Sequence, residues 1–163
     1  EADGLSHDGT GPALGDELLN PVFSKESAGA SVAMGQFLLG PPSVEGWYGG
    51  ADWVNTGAMV ERINFASARF GNADRPGVRA IIDEVKTRAK NGIGTISPEE
   101  LVDICIDQLC MFNVSKVTHK GIVDYTSEWG TLDFSNSAEV AKAEKNIVGT
   151  LQLIVTSMEY QFA

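Results

Sequence analysis

Ser137-Ala-Glu-Val-Ala-Lys-Ala-Glu-Lys-Asn-Ile-Val-Gly-Thr-Leu-Gln-Leu-Ile-Val155 is the stretch that decides the fold. Asn136 or Ser137 can cap its start, and Val140, Ala141, Ile147, Val148, Leu151, Leu153, Ile154 and Val155 recur at helical spacing. Its second half is apolar nearly all round, and a helix with no polar face belongs in the centre of a helical protein rather than on its surface. Thr156-Ser157 offers the start of one more turn before the chain ends.

Working outward, the neighbours on the N-terminal side are also helical. Ser115 reads as the N-cap of a helix reaching about Trp129, with Val117, Ile122, Tyr125 and Trp129 as the apolar side and Gly130 as its exit. Ser97-Pro98-Glu99-Glu100 is a capping box with proline at the first helical position, followed by Leu101, Val102, Ile104, Cys105, Leu109, Met111 and Phe112. Pro76 starts another helix, striped by Val78, Ile81, Ile82 and Val85. Lys86, Arg88 and Lys90 gather in its last turn, where they complement the dipole, and Asn91-Gly92 closes it. Asn55 or Thr56 caps a helix to Phe70 with Met59, Val60, Ile63, Phe65, Ala66 and Phe70 inward and Glu61, Arg62 and Arg69 outward. A first helix spans about Lys25 to Leu39, ended by Gly40-Pro41-Pro42. No strand pattern stands out. The expected fold is all-α, an irregular or orthogonal bundle of about six helices, with residues 25–163 as one helical domain and 1–24 as an extended or disordered arm.

Between the first two helices lies Gly40-Pro-Pro-Ser-Val-Glu-Gly-Trp-Tyr-Gly-Gly-Ala-Asp-Trp-Val-Asn55, whose prolines and glycines forbid a continuous helix or regular strand. Two readings fit its aromatic residues. Trp47, Tyr48 and Trp53 form either an exposed stacking platform with Glu45 and Asp52 as acceptors, or a structural plug with Glu45 paired to Arg62. The plug is preferred, because an irregular loop needs anchors to offset the entropy of ordering it.

The 163-residue chain carries a formal charge of −10 and has a pI near 4.5. Without clustered Lys and Arg, a nucleic-acid partner is not expected. Up to Glu61 there are nine acids and one base, Lys25, which is either ordinary solvated surface or an attraction for a basic partner. No apolar run approaches the roughly 18 residues that span a bilayer, and the opening Glu-Ala-Asp-Gly has no signal-peptide pattern, as a cleaved N-terminus also would not. Cys105 and Cys110, five apart on one expected helix, point roughly 140° apart and read as separate buried thiols.

Catalytic patterns are weak. Gly40 to Gly46 has the wrong spacing for a nucleophile elbow. His119 has Ser115 and Val123 four residues either side rather than ligands, and His7 beside Asp8 is isolated. Glu99, Glu100, Asp103 and Asp107 suit a dipole-complementing surface better than acid/base work. No cofactor, metal or catalytic residue is assigned, and the residues lean away from an enzyme.

Four blocks carry a family resemblance: Met34-Gly35-Gln36 leading into Gly40-Pro-Pro-Ser-Val-Glu-Gly-Trp47; Trp53-Val-Asn-Thr-Gly with Val60-Glu-Arg-Ile-Asn-Phe-Ala66; Pro76-Gly-Val-Arg-Ala-Ile-Ile82; and Leu151-Gln-Leu-Ile-Val-Thr-Ser-Met-Glu-Tyr-Gln-Phe162. Together they resemble the C-terminal part of the bacterial proteins grouped as domain of unknown function 1800, from about Ala28 onward. The resemblance implies an export-associated bacterial protein, periplasmic or extracellular, and offers no catalytic residues to carry over. Such proteins are usually several hundred residues long, so the chain is expected to be either a cleavage fragment or a C-terminal module adopted as a subunit. The expected role is a non-enzymatic interaction module, an accessory or assembly subunit bound to a protein partner. The alternative is carbohydrate or polymer handling, binding or hydrolytic, through the aromatic loop.

Overall fold

The structure is a computed structural model that describes residues 25–37, 40–46, 56–91, 94–111, 113–135 and 137–162. The expected arm at 1–24, and Trp47, Tyr48, Asp52 and Trp53, lie outside these residues. Among those described there are seven helices and one two-stranded ribbon: α1 (Lys25–Ala33), α2 (Thr56–Phe70), α3 (Pro76–Asn91), β1 (Thr95–Ile96), α4 (Pro98–Gln108), α5 (Lys116–Ser127), β2 (Leu132–Asp133), α6 (Ser137–Val155) and α7 (Met158–Gln161). The fold is mostly helical, as expected. The chain divides into two compact units, Glu1–Glu61 and Arg62–Ala163.

In the first unit α1 stops well before Leu39. Gly35 takes φ +85°, and the Gly35 and Gln36 N–H groups donate to Val32 O at 3.0 Å and Ser31 O at 2.8 Å. This is the two-bond termination that a left-handed glycine permits. Ending there removes Phe37 from the helix, so the broad buried face expected for it does not form, and Val32 and Phe37 are exposed. Phe37 instead packs on Gly40, where an added Cβ would sit 2.3 Å from its ring. The start of the loop is a tight turn in which the Gly46 N–H donates to Ser43 O at 3.1 Å and the Glu45 N–H to Ser43 Oγ at 3.3 Å.

In the second unit α6 is central, packed by α3, α4, α5 and β2. Ala143, Ile147, Val148, Thr150, Leu151, Ile154 and Val155 are buried along it. Of these, Ala143, Ile147, Val148, Leu151 and Ile154 meet the stripe Val78, Ile81, Ile82, Val85 and Ala89 of α3 and Leu101, Val102, Ile104 and Cys105 of α4 in one core. Burial pushes the Cys105 thiol up to about 12, which leaves it an inert apolar filler. α3 is also tied to α6 by Glu144, which accepts from Arg79 at 2.9 Å and from Lys86, and the cation pair holds its carboxyl below the usual range.

The ribbon was not legible in the sequence. It is antiparallel, with Thr95 opposite Asp133 and Ile96 opposite Leu132, and buries Ile96 and Leu132 in the core. Two residues per strand are too few for an alternation to register.

Local caps follow their residues. Ser97 Oγ accepts from the Glu100 N–H at 3.3 Å, Ser115 Oγ from Thr118 N–H at 3.1 Å and Ser157 Oγ from Tyr160 N–H at 3.3 Å. The end of α4 differs from expectation. It stops at Gln108, and Cys110 is exposed at φ +54°, its N–H donating to Asp107 O while that of Met111 reaches Ile106 O at 3.2 Å. This is the same termination as at Gly35, with a side chain in glycine's place, and it corrects the expectation of a second buried thiol. A left-handed residue with a Cβ costs about 1 kcal/mol, so Cys110→Gly is expected to raise stability by about that amount, offset in part by unfolded-chain entropy. A urea midpoint no higher than that of the parent would count against the geometry.

The inward phase of α5 is also shifted. Ile122 and Thr126 are buried, while Val117 and Tyr125 are exposed. On α2, Ala58 is buried and Val60 is exposed. Arg69, expected outward, instead lays its guanidinium over the Phe65 ring, 4.8 Å from the centroid.

Candidate functional site

A groove of about 480 Å³ opens at the C-terminal corner of the second unit, lined by Leu109, Cys110, Met111, Asn113, Glu159, Tyr160 and Phe162. Its shape comes from local signals. The left-handed turn at Cys110 breaks α4, Ser115 starts α5, and Ser157 starts α7, which brings the last residues of the chain alongside. Tyr160 forms one wall, edge-on to Phe70 with centroids 6.4 Å apart, and burial pushes its phenol up from the ordinary value.

Glu159 is the charged group of this groove. Its Oε1 accepts from Thr118 Oγ1 at 2.6 Å and from the Ser115 N–H at 3.4 Å, while Ser115 Oγ donates onward to Thr118 Oγ1 at 3.0 Å. The Thr118 hydroxyl, first among these donors, holds the Glu159 carboxyl down to about 2. A carboxylate so stabilised is a poor proton acceptor, so its chemistry here is positional, joining α7 to the start of α5. Because the folded value lies below the ordinary 4.5, the stability contributed by Glu159 is complete above pH 4.5 and is lost as pH falls toward about 2. Glu159→Gln is therefore expected to flatten the fall in stability across that window. Equal slopes for parent and variant in urea titrations between these pH values would contradict the assignment.

Of the residues singled out in the sequence, Arg62 donates through Nη2 to Gln161 O at 2.5 Å. Glu45 is exposed in the Ser43–Gly46 turn, in the other unit. His119 has a carboxylate neighbour after all, with Nε2 2.7 Å from Asp103 Oδ1. The two are sixteen residues apart on different helices, beyond the i±4 search that a sequence allows. Among the described residues no group of three or more His, Cys, Asp or Glu is placed to hold a metal ion, and no helix is long and apolar enough to cross a membrane.

The groove itself was missed because its parts are separately unremarkable. Leu109 to Asn113 and Glu159 to Phe162 come from distant segments, and Phe162 among them stands 57% exposed.

No curated protein and no solved structure matches the chain. A family model described as a protein of unknown function, DUF1800, matches residues 17–162, which begins upstream of the Ala28 expected from the sequence blocks. Spanning nearly the whole chain and every helix among the described residues, that match makes the chain a member of the DUF1800 family.

Proposed function

We propose that the chain is a non-enzymatic interaction module, an accessory subunit that binds a protein partner within a larger assembly. The observation that carries this reading is the groove lined by Leu109, Met111, Tyr160 and Phe162, with Phe162 exposed in it and Met158 exposed on the same C-terminal turn. Methionine and aromatic side chains are enriched in the buried centres of interfaces, and they cost apolar hydration when left uncovered. The excess of nine acids over one base up to Glu61 favours a partner with a basic surface.

The test is the double variant Met158→Asp, Phe162→Asp in the native source. Both side chains are exposed, so the fold is expected to keep its melting temperature while the chain loses its partner on gentle purification. Retention of an unchanged complex would overturn the reading. Polymer handling by the aromatic loop is separated by Trp53→Ala: loss of ligand binding at constant melting temperature favours a platform, and loss of stability favours the plug.

A further inference from the structure

A second depression, of about 290 Å³, lies on another face of the same unit, lined by Ser67, Tyr125, Trp129, Gly149, Gln152 and Thr156. Two rings from the end of α5 wall it. Trp129 lies flat enough on α6 that a Cβ added at Gly149 would sit 3.0 Å from its Cη2, so the glycine is what admits the indole. Tyr125 meets Trp129 at 82°, with centroids 5.4 Å apart, and is 49% exposed.

The polar groups around these rings are neutral and only partly used. Gln152 Nε2 donates to Ser67 O at 3.0 Å and Ser67 Oγ at 3.2 Å, while its Oε1 meets no donor among the described residues. Ser67 Oγ accepts from Gln152 and keeps its own proton to give. Thr156 Oγ1 donates to Leu153 O at 3.0 Å and keeps its lone pairs. The Tyr125 hydroxyl and the Trp129 indole N–H make no hydrogen bond among the described residues. No acidic or basic side chain is among those lining the depression.

From this we infer that the depression binds a neutral sugar ring. A pyranose presents an apolar C–H face that an aromatic ring covers, and equatorial hydroxyls that both donate and accept, as the Gln152, Ser67 and Thr156 groups require. An anionic ligand would find no counter-charge here and would meet a chain of net charge −10. The volume is at the lower end of small-molecule sites, enough for one ring rather than a large ligand. This surface is distinct from the C-terminal groove, and its occupancy does not depend on the interaction reading.

The test is a titration of the chain with glucose, N-acetylglucosamine and their β-linked disaccharides. Amide and indole N–H shifts are followed, with the Trp129 indole assigned by Trp129→Phe. Saturable shifts at the Trp129 indole and the Gln152 carboxamide are expected with at least one of these sugars. Tyr125→Ala, at an exposed position, is expected to weaken binding by about three- to tenfold with the fold intact. Gly149→Ala, a favourable change for a helix, is expected to weaken it by displacing the Trp129 ring. Absence of saturation up to about 50 mM by every sugar would overturn the proposal. So would glucose 6-phosphate binding ten times more tightly than glucose, adenosine saturating the site where sugars do not, or unaltered affinity in both variants.

Discussion

Leu151→Ala is expected to lower stability by about 2–5 kcal/mol, because Leu151 is among the largest fully buried side chains of the described residues. Leu151 has no exposed surface and lies on α6, the helix that α3, α4 and α5 enclose. Removing three carbons forfeits their transfer free energy and leaves a space that three flanking helices cannot all move to fill. The cavity would be ringed by members of the same core, among them Ile82, Leu101, Ile147 and Ile154. Urea unfolding with an unchanged denaturant slope is the measurement. A loss under about 1 kcal/mol would mean that α6 is not the enclosed helix.

Gln161→Leu is expected to cost about 1–3 kcal/mol, although it replaces a polar residue near the end of the chain by an apolar one. Gln161 is 4% exposed, and its Nε2 donates to Val155 O at 2.7 Å. Val155 closes α6, so its carbonyl is one of those that a helix end leaves without an internal partner. Leucine fills the same volume yet strands that acceptor away from water. The control is Met158→Ala in the same short helix, where exposure confines the change to about 0.5 kcal/mol. Equal effects at the two positions would show that the buried carboxamide bond contributes nothing.

The surface ion pairs call for smaller expectations. Arg88 reaches both Glu84 at 2.8 Å and Asp107 at 3.2 Å, but these groups are well solvated, and such pairs seldom exceed about 1 kcal/mol. Glu144 is better placed, between Arg79 and Lys86 and largely covered.

Helix starts were readable residue by residue. Ser97, Ser115 and Ser157 cap because a hydroxyl three residues ahead of an N–H is a neighbour by covalent geometry, whatever the rest of the chain does. The same locality made Pro76 and Pro98 reliable. The central place of 137–155 was also legible, since a helix apolar all round has no other stable position. Helix ends were read less well where the signal was ambiguous. At α1 the nearer glycine, Gly35, outcompeted Gly40-Pro41-Pro42, and at α4 a cysteine took the left-handed turn with no glycine to announce it.

Tertiary packing alone decided which apolar residues are covered. Val117, Tyr125, Met158 and Phe162 follow helical spacing as faithfully as Ile122 and Ile154, but they are left exposed. Periodicity identifies a face, whereas burial depends on what stands opposite it. The pairs that join distant segments were hidden for the same reason: Arg79 and Lys86 with Glu144, His119 with Asp103, Arg62 with Gln161 O, and Ser67 with Gln152. Each requires two helices to be positioned first. Both binding surfaces are made of such juxtapositions: composition and spacing specify the helices and their caps, whereas the meeting of the α4 end with α7, and of Ser67 and the α5 end with α6, specifies the sites.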